Sequence, residues 1–201
     1  MSLTLFWILL AITLSVIALY ITGLYNELVN LKNRWKNAFA QIEVQLKRRH
    51  DLIPNLVETA KGYMAHERQT LVEVTQARNT AVACLKAAAA APGNAGHIAR
   101  LSQGESQLST ALDQLNVTME DYPQLQASET MLQLLDELTN TENRIAFARQ
   151  FFNDSVMNYN IFKQKFPTVL MADAFGHSAD APFLEFADSA QIQSAPNASF
   201  T

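Results

Sequence analysis

The sequence is poor in the residues that build disulfide frameworks and thiolate metal sites. Among its 201 residues there is one cysteine, Cys84, which lies in the Ala-rich run AVACLKAAAA. A single cysteine excludes an intrachain disulfide and a cysteine-based metal cluster. Because no cationic neighbour shares its helix face to stabilise a thiolate, we expect Cys84 to be an unreactive residue on a buried helix face.

The sequence also lacks the motifs that carry most enzymatic chemistry. It contains no HExxH zinc motif, no P-loop, no GxGxxG loop and no nucleophile elbow. The Glu-x-x-His motifs of di-iron helical bundles are missing as well. The adjacent pairs His50-Asp51 and His66-Glu67 are better explained by a helix cap and a polar helix edge. We therefore predict no catalytic residue, no cofactor, no metal site and no enzymatic activity.

Charged residues make up only 17% of the chain and are unevenly distributed. Residues 1–26 contain none. Residues 27–100 carry eleven Lys/Arg against six Asp/Glu, a net of +5, whereas residues 101–201 carry four against thirteen, a net of −9. The basic stretch fits a surface near anionic lipid headgroups, and the acidic stretch fits water or a partner protein. A pI near 5.5 and the lack of a recognition motif argue against a nucleic-acid partner.

The most prominent feature that is present is a charge-free apolar run over residues 3–25, LTLFWILLAITLSVIALYITGLY. As a helix rising about 1.5 Å per residue, it is roughly 34 Å long and can cross the hydrocarbon core of a bilayer. Trp7 lies near one end and Tyr20 and Tyr25 near the other, as in the aromatic belts of membrane helices. A cleaved signal peptide would need a basic start, a shorter apolar run and a small-residue cleavage site. We therefore predict an uncleaved transmembrane anchor over residues 1–25.

Basic residues flank this anchor on its C-terminal side only. Lys32, Arg34 and Lys36 lie within a few turns of Tyr25, and no Lys or Arg precedes the apolar run. Together with the three interface aromatics, these cations are the predicted contacts with membrane lipid. The positive-inside rule then predicts a single-pass protein with its N-terminus outside and its helical domain in the cytoplasm.

Apolar residues continue at spacings of three and four after the anchor, which predicts that it runs without a hinge into the first helix of a bundle. This seam consists of Leu24, Leu28, Leu31, Trp35, Ala38, Ile42 and Leu46. The stretch from Asp51 to Pro54 then allows two interpretations, a second helix beginning at about residue 52 or one long helix kinked at Pro54. Two further helices are predicted, at about 97–121 and 129–166, after turns at 92–96 and 121–123. The short connections predict an all-α, antiparallel, up-and-down four-helix bundle of long helices over residues 26–166.

A compact cationic patch, formed by Lys47, Arg48, Arg49 and His50, is one candidate for contacts with partners or other copies. Basic residues at the C-terminal end of a helix also complement its dipole, so a solvated helix end is the alternative interpretation. If a helix ends here, the patch lies roughly 35 Å from the membrane, which suits an acidic protein surface better than lipid.

The C-terminal tail, residues 167–201, is a second candidate contact region. It has no Lys or Arg, and Phe175, Phe183 and Phe186 are too apolar for a plain solvated segment. We predict that residues 167–187 pack back on a surface and that the remainder is loose.

Two blocks of the sequence resemble the LemA family of bacterial membrane proteins. One covers residues 25–79 and contains the string QLKRRHDLIPNLVETAKGY, and the other is ENRIAFARQFFNDSVMNYNIFKQKFP at 142–167. The tail fragment Ala174-Phe175-Gly176 is similar too, although His177 stands where an aromatic residue is expected. The resemblance implies a single-pass protein of the bacterial inner membrane with an antiparallel four-helix bundle and no established enzymatic activity.

These observations favour a non-enzymatic, membrane-anchored helical scaffold. The continuous seam and the opposite charges of the two halves predict self-association into a homo-oligomer that organises membrane or membrane-protein partners. The alternative is an adaptor or regulator of a membrane-bound zinc metalloprotease, a partner that the family resemblance implies.

Overall fold

The computed structural model describes residues 3–186, which are helical except for the connections and the segment after residue 170. Four of the helices are long, and no strand occurs between residues 3 and 186. The elements are α1 (Leu3–Lys61), α2 (Arg68–Ala90), α3 (Ala95–Met119), the short α4 (Pro123–Gln126), α5 (Glu129–Gln164) and a 3-10 turn (Thr168–Leu170). The prediction of an all-α protein that begins with a long apolar helix is confirmed.

Helix α1 lies antiparallel to α5. The ring of Trp35 packs on that of Phe152 at a centroid distance of 6.3 Å. Further along α1, Arg48 reaches back to Glu137 on α5, at 2.7 Å between Nη2 and Oε2. Helix α2 likewise returns along α1, and α3 returns along α2, because the connections after Lys61 and Ala90 are short.

Helix α1 does not stop at Pro54. It has 59 residues, which is about 88 Å at a rise of 1.5 Å per residue. Proline has no N–H, so the carbonyl of His50, four residues earlier, lacks its usual helical donor. Arg78 on α2 replaces that donor, with its Nε 3.0 Å from the His50 oxygen. The helix therefore continues, and of the two interpretations of this stretch the structure has the single long helix.

The first reversal of the chain comes instead at Gly62, directly after α1. The amides of Tyr63 and Met64 both bond to the carbonyl of Ala60, and α2 begins only at Arg68. Met64 is fully buried, whereas Tyr63 is 45% exposed. No helix begins at about residue 52, and Tyr63 lies outside the buried face of α1 because that helix ends at Lys61.

The buried apolar residues form two clusters, one at each end of the bundle. The proximal cluster, next to the apolar run, contains aromatic side chains such as Trp35, Phe39 and Phe152. The distal cluster contains aliphatic side chains and the methionines Met64, Met119 and Met131. On α1 the clusters are separated by the stretch from Leu46 to Ile53.

The chain beyond α5 turns and runs back along that helix. Asn160 donates from Nδ2 to the carbonyl of Ala181 at 3.0 Å and accepts from its amide at 2.9 Å. Asn153 makes the same pair of bonds with Leu184, both at 3.0 Å. Leu184 is fully buried, and Phe175 and Phe186 pack against the proximal cluster. The prediction that the far tail is loose falls on residues outside the described range.

Candidate functional site

The first candidate surface is the charge-free part of α1, residues 3–25, which we call its apolar or first half. Its mean hydropathy reaches 2.4 over an 18-residue window, and none of that window is buried. The hydroxyls of Thr13, Ser15 and Thr22 each donate to the carbonyl four residues earlier, at 2.8–2.9 Å. Because each hydroxyl donates its hydrogen bond to a carbonyl of the same helix, it needs no water molecule as an acceptor. The segment is therefore compatible with the hydrocarbon core of a bilayer. By length and composition it is one helix able to cross a membrane.

The predicted interface aromatics lie along this half and at its end. Trp7 and Tyr20 are exposed, at 58% and 57%. Tyr25 is 43% exposed and meets the ring of Phe175 edge-on, with the centroids 5.3 Å apart. Phe175, expected to contact a partner, thus lies against the base of the anchor.

The predicted lipid-contacting cations lie on the next turns of α1. Arg34 and Lys36 are exposed, and Lys36 Nζ lies 6.0 Å from the ring centre of Trp35. Lys32 is half-buried, and its charge acts on His177 of the tail. These positions leave two of the three cations open to the surroundings of the helix.

The cationic patch at residues 47–50 does not form one surface. Lys47 and Arg48 are exposed and pair with Glu43 and Glu137. Arg49 is only 5% exposed and His50 only 2%. The interpretation of all four as a solvated or partner-binding helix end is therefore corrected for the last two, which lie on the buried face of α1 between Leu46 and Ile53.

Arg49 and His50 meet Glu105 of α3 between the two apolar clusters. One oxygen of the Glu105 carboxylate pairs with Arg49 Nη2, and the other lies 2.9 Å from His50 Nε2. The side chains of these three residues are between 1% and 6% exposed. Removing one partner of such a buried pair leaves an uncompensated charge, which costs about 3–5 kcal/mol. We call Arg49, His50 and Glu105 the charged layer.

A polar cavity of about 370 Å³ adjoins the charged layer between α3 and α5. Glu142 Oε1 lies 3.9 Å from Arg49 Nη1, and the Arg149 guanidinium covers the ring of Phe186 at 4.8 Å. Across residues 3–186 there is no group of three or more His, Cys, Asp and Glu that could hold a metal. The charged layer and its surroundings therefore pair oppositely charged groups from different helices.

Sequence analysis missed Glu105, although a signal for it was present. Leu101, Glu105 and Leu108 follow spacings of four and three, so a carboxylate occupies a seam position. A charged residue at such a position predicts a buried partner. The partner itself lies 56 residues away in the sequence, and local spacing does not identify it.

His177 is buried where the tail crosses α5. Its Nδ1 lies 2.9 Å from the hydroxyl of Tyr159. Burial lowers the pKa of His177, and the nearby charges of Lys32 and Lys163 lower it further. Burial also raises the pKa of Tyr159. At neutral pH a neutral imidazole and a protonated tyrosine therefore share one hydrogen bond, which lets histidine stand at a site expected to hold an aromatic.

An exposed apolar face lies between α1 and α5, and sequence analysis did not identify it. Phe147 is 74% exposed, Val44 61% and Phe151 41%. They border a shallow cavity of about 540 Å³ that Gln41 and Arg144 help to line. Phe147 and Phe151 are spaced four apart, so they share one face of α5, and that face is not the buried seam. Two aromatic residues on such a face were the available sequence signal. We call Val44, Phe147 and Phe151 the α1–α5 face.

The sequence profile of the LemA family matches residues 38–200, which include the last 24 residues of α1 and all of the later helices. The chain belongs to the LemA family. The apolar half of α1 lies before the matched residues, and it fits a membrane-associated protein of this family.

Curated LemA-family relatives are distant in sequence. The chain is 26% identical to magnetosome protein MamQ of Magnetospirillum gryphiswaldense over 178 residues, 80% of this chain and 65% of that protein. It is 26% identical to magnetosome protein MamQ 2 of Paramagnetospirillum magneticum over 189 residues, 86% and 70% of the two chains. For protein LemA of Metamycoplasma hominis the identity is 26% over 155 residues, 77% and 63%. The chain thus spans between 63% and 70% of the length of these relatives, and none of them carries an enzyme name.

Proposed function

We propose that this protein is a non-enzymatic scaffold, anchored in a bacterial inner membrane by residues 3–25, whose copies associate side by side. The observation that carries the proposal is the continuity of α1. One helix supplies both the exposed apolar run and the spine of the bundle core, from Leu28 to Ala60. A membrane helix that continues into the bundle without a hinge holds the bundle in a fixed orientation relative to the bilayer.

The α1–α5 face supports self-association. Phe147 and Val44 project from the bundle about 28 Å beyond Tyr25, at a rise of 1.5 Å per residue. Exposed apolar patches on otherwise polar surfaces mark interaction sites. A second copy is the occupant we propose, since anchors in one bilayer already hold the copies at the same height and confine them to two dimensions. That confinement raises the effective concentration, so a modest apolar contact suffices.

The proposal predicts that full-length protein in lipid nanodiscs or mild detergent is oligomeric by light scattering. Replacing Phe147 with Glu places a charge in the contact and shifts the protein to monomers. Val117, 64% exposed on α3, provides a matched control. Val117→Glu adds the same charge outside the α1–α5 face and leaves the oligomer intact. A wild-type protein that is strictly monomeric at every concentration contradicts self-association.

We also propose that the bundle faces the cytoplasm. Arg34 and Lys36 lie exposed within a few turns of the C-terminal end of the apolar run. Basic residues next to a membrane helix favour retention of their side in the cytoplasm. A reporter such as alkaline phosphatase fused after Phe186 is expected to be inactive, and the same reporter fused before residue 1 is expected to be active.

A further inference from the structure

The turn that follows α5 exposes large apolar side chains. Phe166 is 80% exposed, Leu170 73% and Val169 48%. They lie within five consecutive residues, between the end of α5 at Gln164 and the returning tail. We call Phe166, Val169 and Leu170 the apolar turn. Within residues 3–186, neighbouring elements leave most of the surface of Phe166 and Leu170 and about half of that of Val169 open.

The apolar turn lies level with the end of the membrane anchor. Trp35 packs against both Phe152 and Tyr159, at centroid distances of 6.3 and 6.4 Å. Because α1 and α5 are antiparallel, ten residues back along α1 to Tyr25 correspond to about ten residues forward from Phe152 or Tyr159, which reaches the last turn of α5 and the chain just after Gln164. The contact between Tyr25 and Phe175, at 5.3 Å, places the returning tail at the same height.

The apolar turn is held in place by its backbone. The amide of Val169 bonds to the carbonyl of Lys165 at 2.9 Å, and the amide of Ala172 bonds to that of Thr168 at 2.9 Å. Thr168 is itself only 2% exposed. The exposed side chains are therefore presented by an ordered turn, and burying them elsewhere requires breaking these bonds.

We propose that the apolar turn is a second membrane contact, which inserts into the interface of the leaflet from which α1 emerges. The proposal rests on the membrane anchor of the proposed function. The occupant is the boundary between headgroups and acyl chains, because the turn lies beside the base of a helix that enters that layer. Interfacial binding of this kind scales with the apolar area that is buried.

The charged residues beside the apolar turn indicate whether its membrane contact requires anionic lipid. Lys165 and Asp173, both exposed, flank it with opposite signs. The contact is therefore apolar in origin and does not need anionic lipid. Two contacts, the anchor and the turn, restrict the tilt of α1, so the α1–α5 face keeps a fixed angle to the bilayer plane.

The experiment measures depth with an environment-sensitive fluorophore on single cysteines in full-length Cys84→Ala protein. The labelled positions are Leu170→Cys in the turn, Leu19→Cys in the anchor and Phe147→Cys in the bundle. Each variant is reconstituted into phosphatidylcholine vesicles with and without phosphatidylglycerol, and with and without lipids that carry a nitroxide on the upper acyl chain. Circular dichroism confirms that each variant is folded.

We expect the nitroxide lipids to quench most of the emission at positions 170 and 19 in both lipid mixtures, and little of it at position 147. Quenching at 19 but not at 170 overturns the apolar turn as a membrane contact and leaves the anchor standing. An apolar environment at 170 that lipid nitroxides do not quench shows that a second copy covers the turn, which also overturns the proposal. Quenching at neither position removes the anchor of the proposed function itself.

Discussion

The two halves of α1 form one continuous helix with opposite surroundings. In the first half, Leu19 is 75% exposed and no residue carries a charge, whereas in the second half Leu28 is fully buried among other helices. Both halves are rich in leucine and close their backbone hydrogen bonds in the same way. What distinguishes them is the polar face: the second half has Lys, Arg and Glu on the side away from the core. The charge pattern and the lower apolar content of the second half together decide which half packs on protein.

The largest expected effect comes from charging the first half. Replacing Leu14 and Ile17 with Arg places two cations in the hydrocarbon core, at about 2.5–3.5 kcal/mol each on insertion scales. We expect the protein to leave the membrane fraction after carbonate extraction. Its bundle is expected to unfold at the wild-type temperature, because both side chains are exposed there. Retention of the double variant in the membrane contradicts the assignment of this half.

The next largest effect is expected for the charged layer, whose two residues on α1, Arg49 and His50, both lie in the second half of that helix. Glu105→Ala leaves Arg49 buried without its main partner, and we expect the free energy of unfolding to fall by about 3–5 kcal/mol in urea. Glu137→Ala is the matched control, because it removes the exposed partner of Arg48. Such surface pairs contribute about 0–1 kcal/mol. Equal losses in the two variants would show that the layer is hydrated.

A matched pair of leucines compares the halves directly. Leu28→Ala removes a fully buried side chain from the proximal cluster, and we expect a loss of about 2–5 kcal/mol of bundle stability. Leu19→Ala, on the same helix, is expected to leave the unfolding transition of the bundle unchanged. Both are measured by thermal or urea unfolding in the same detergent. A comparable loss for Leu19→Ala would place the first half inside the protein core.

The smallest effect concerns the continuity of α1 at Pro54. Arg78→Ala removes the donor to the His50 carbonyl, and we expect a loss of about 1.5 kcal/mol. In a Pro54→Ala background the same substitution is expected to cost less, because an alanine amide can supply the helical hydrogen bond. A double-mutant cycle measures the difference. Additive effects would show that Arg78 does not compensate for the proline.

The elements that depend on local pattern were predictable from the sequence. The seam from Leu28 to Leu46 and the apolar run need only spacing and composition, and both appear in the structure. The continuation of α1 past Pro54 was not predictable, because the compensating Arg78 belongs to another helix. The burial of Arg49 and His50 depends on Glu105 in the same way. Local sequence thus predicts which helix faces are apolar. The polar contacts that let α1 continue past a proline, or bury a charged residue, involve residues from distant parts of the chain.

The end of the bundle where the tail returns along α5 shows the same contrast between local pattern and distant pairing. The run of aromatics in the tail indicated packing, but Asn153 and Asn160 carry no sequence signal for the bonds they make. Asparagine on a helix surface is ordinarily solvated, and only the returning backbone gives each amide its two partners. The α1–α5 face was missed for a related reason: Phe147 and Phe151 lie off the spacing of the buried seam, and whether they stay exposed depends on how α1 and α5 pack together.

The two asparagines of α5 hold the tail by its main chain rather than by its side chains. Each carboxamide satisfies one N–H and one C=O of the tail, as a neighbouring strand would. Any L-residue offers those same two groups, except that proline lacks the N–H. At positions 181 and 184 the attachment thus constrains size and apolarity but not identity, so the return path of the tail can persist while its sequence drifts. Aspartate at position 153 or 160 would keep the acceptor and lose the donor, which would release one of the two bonds to the tail.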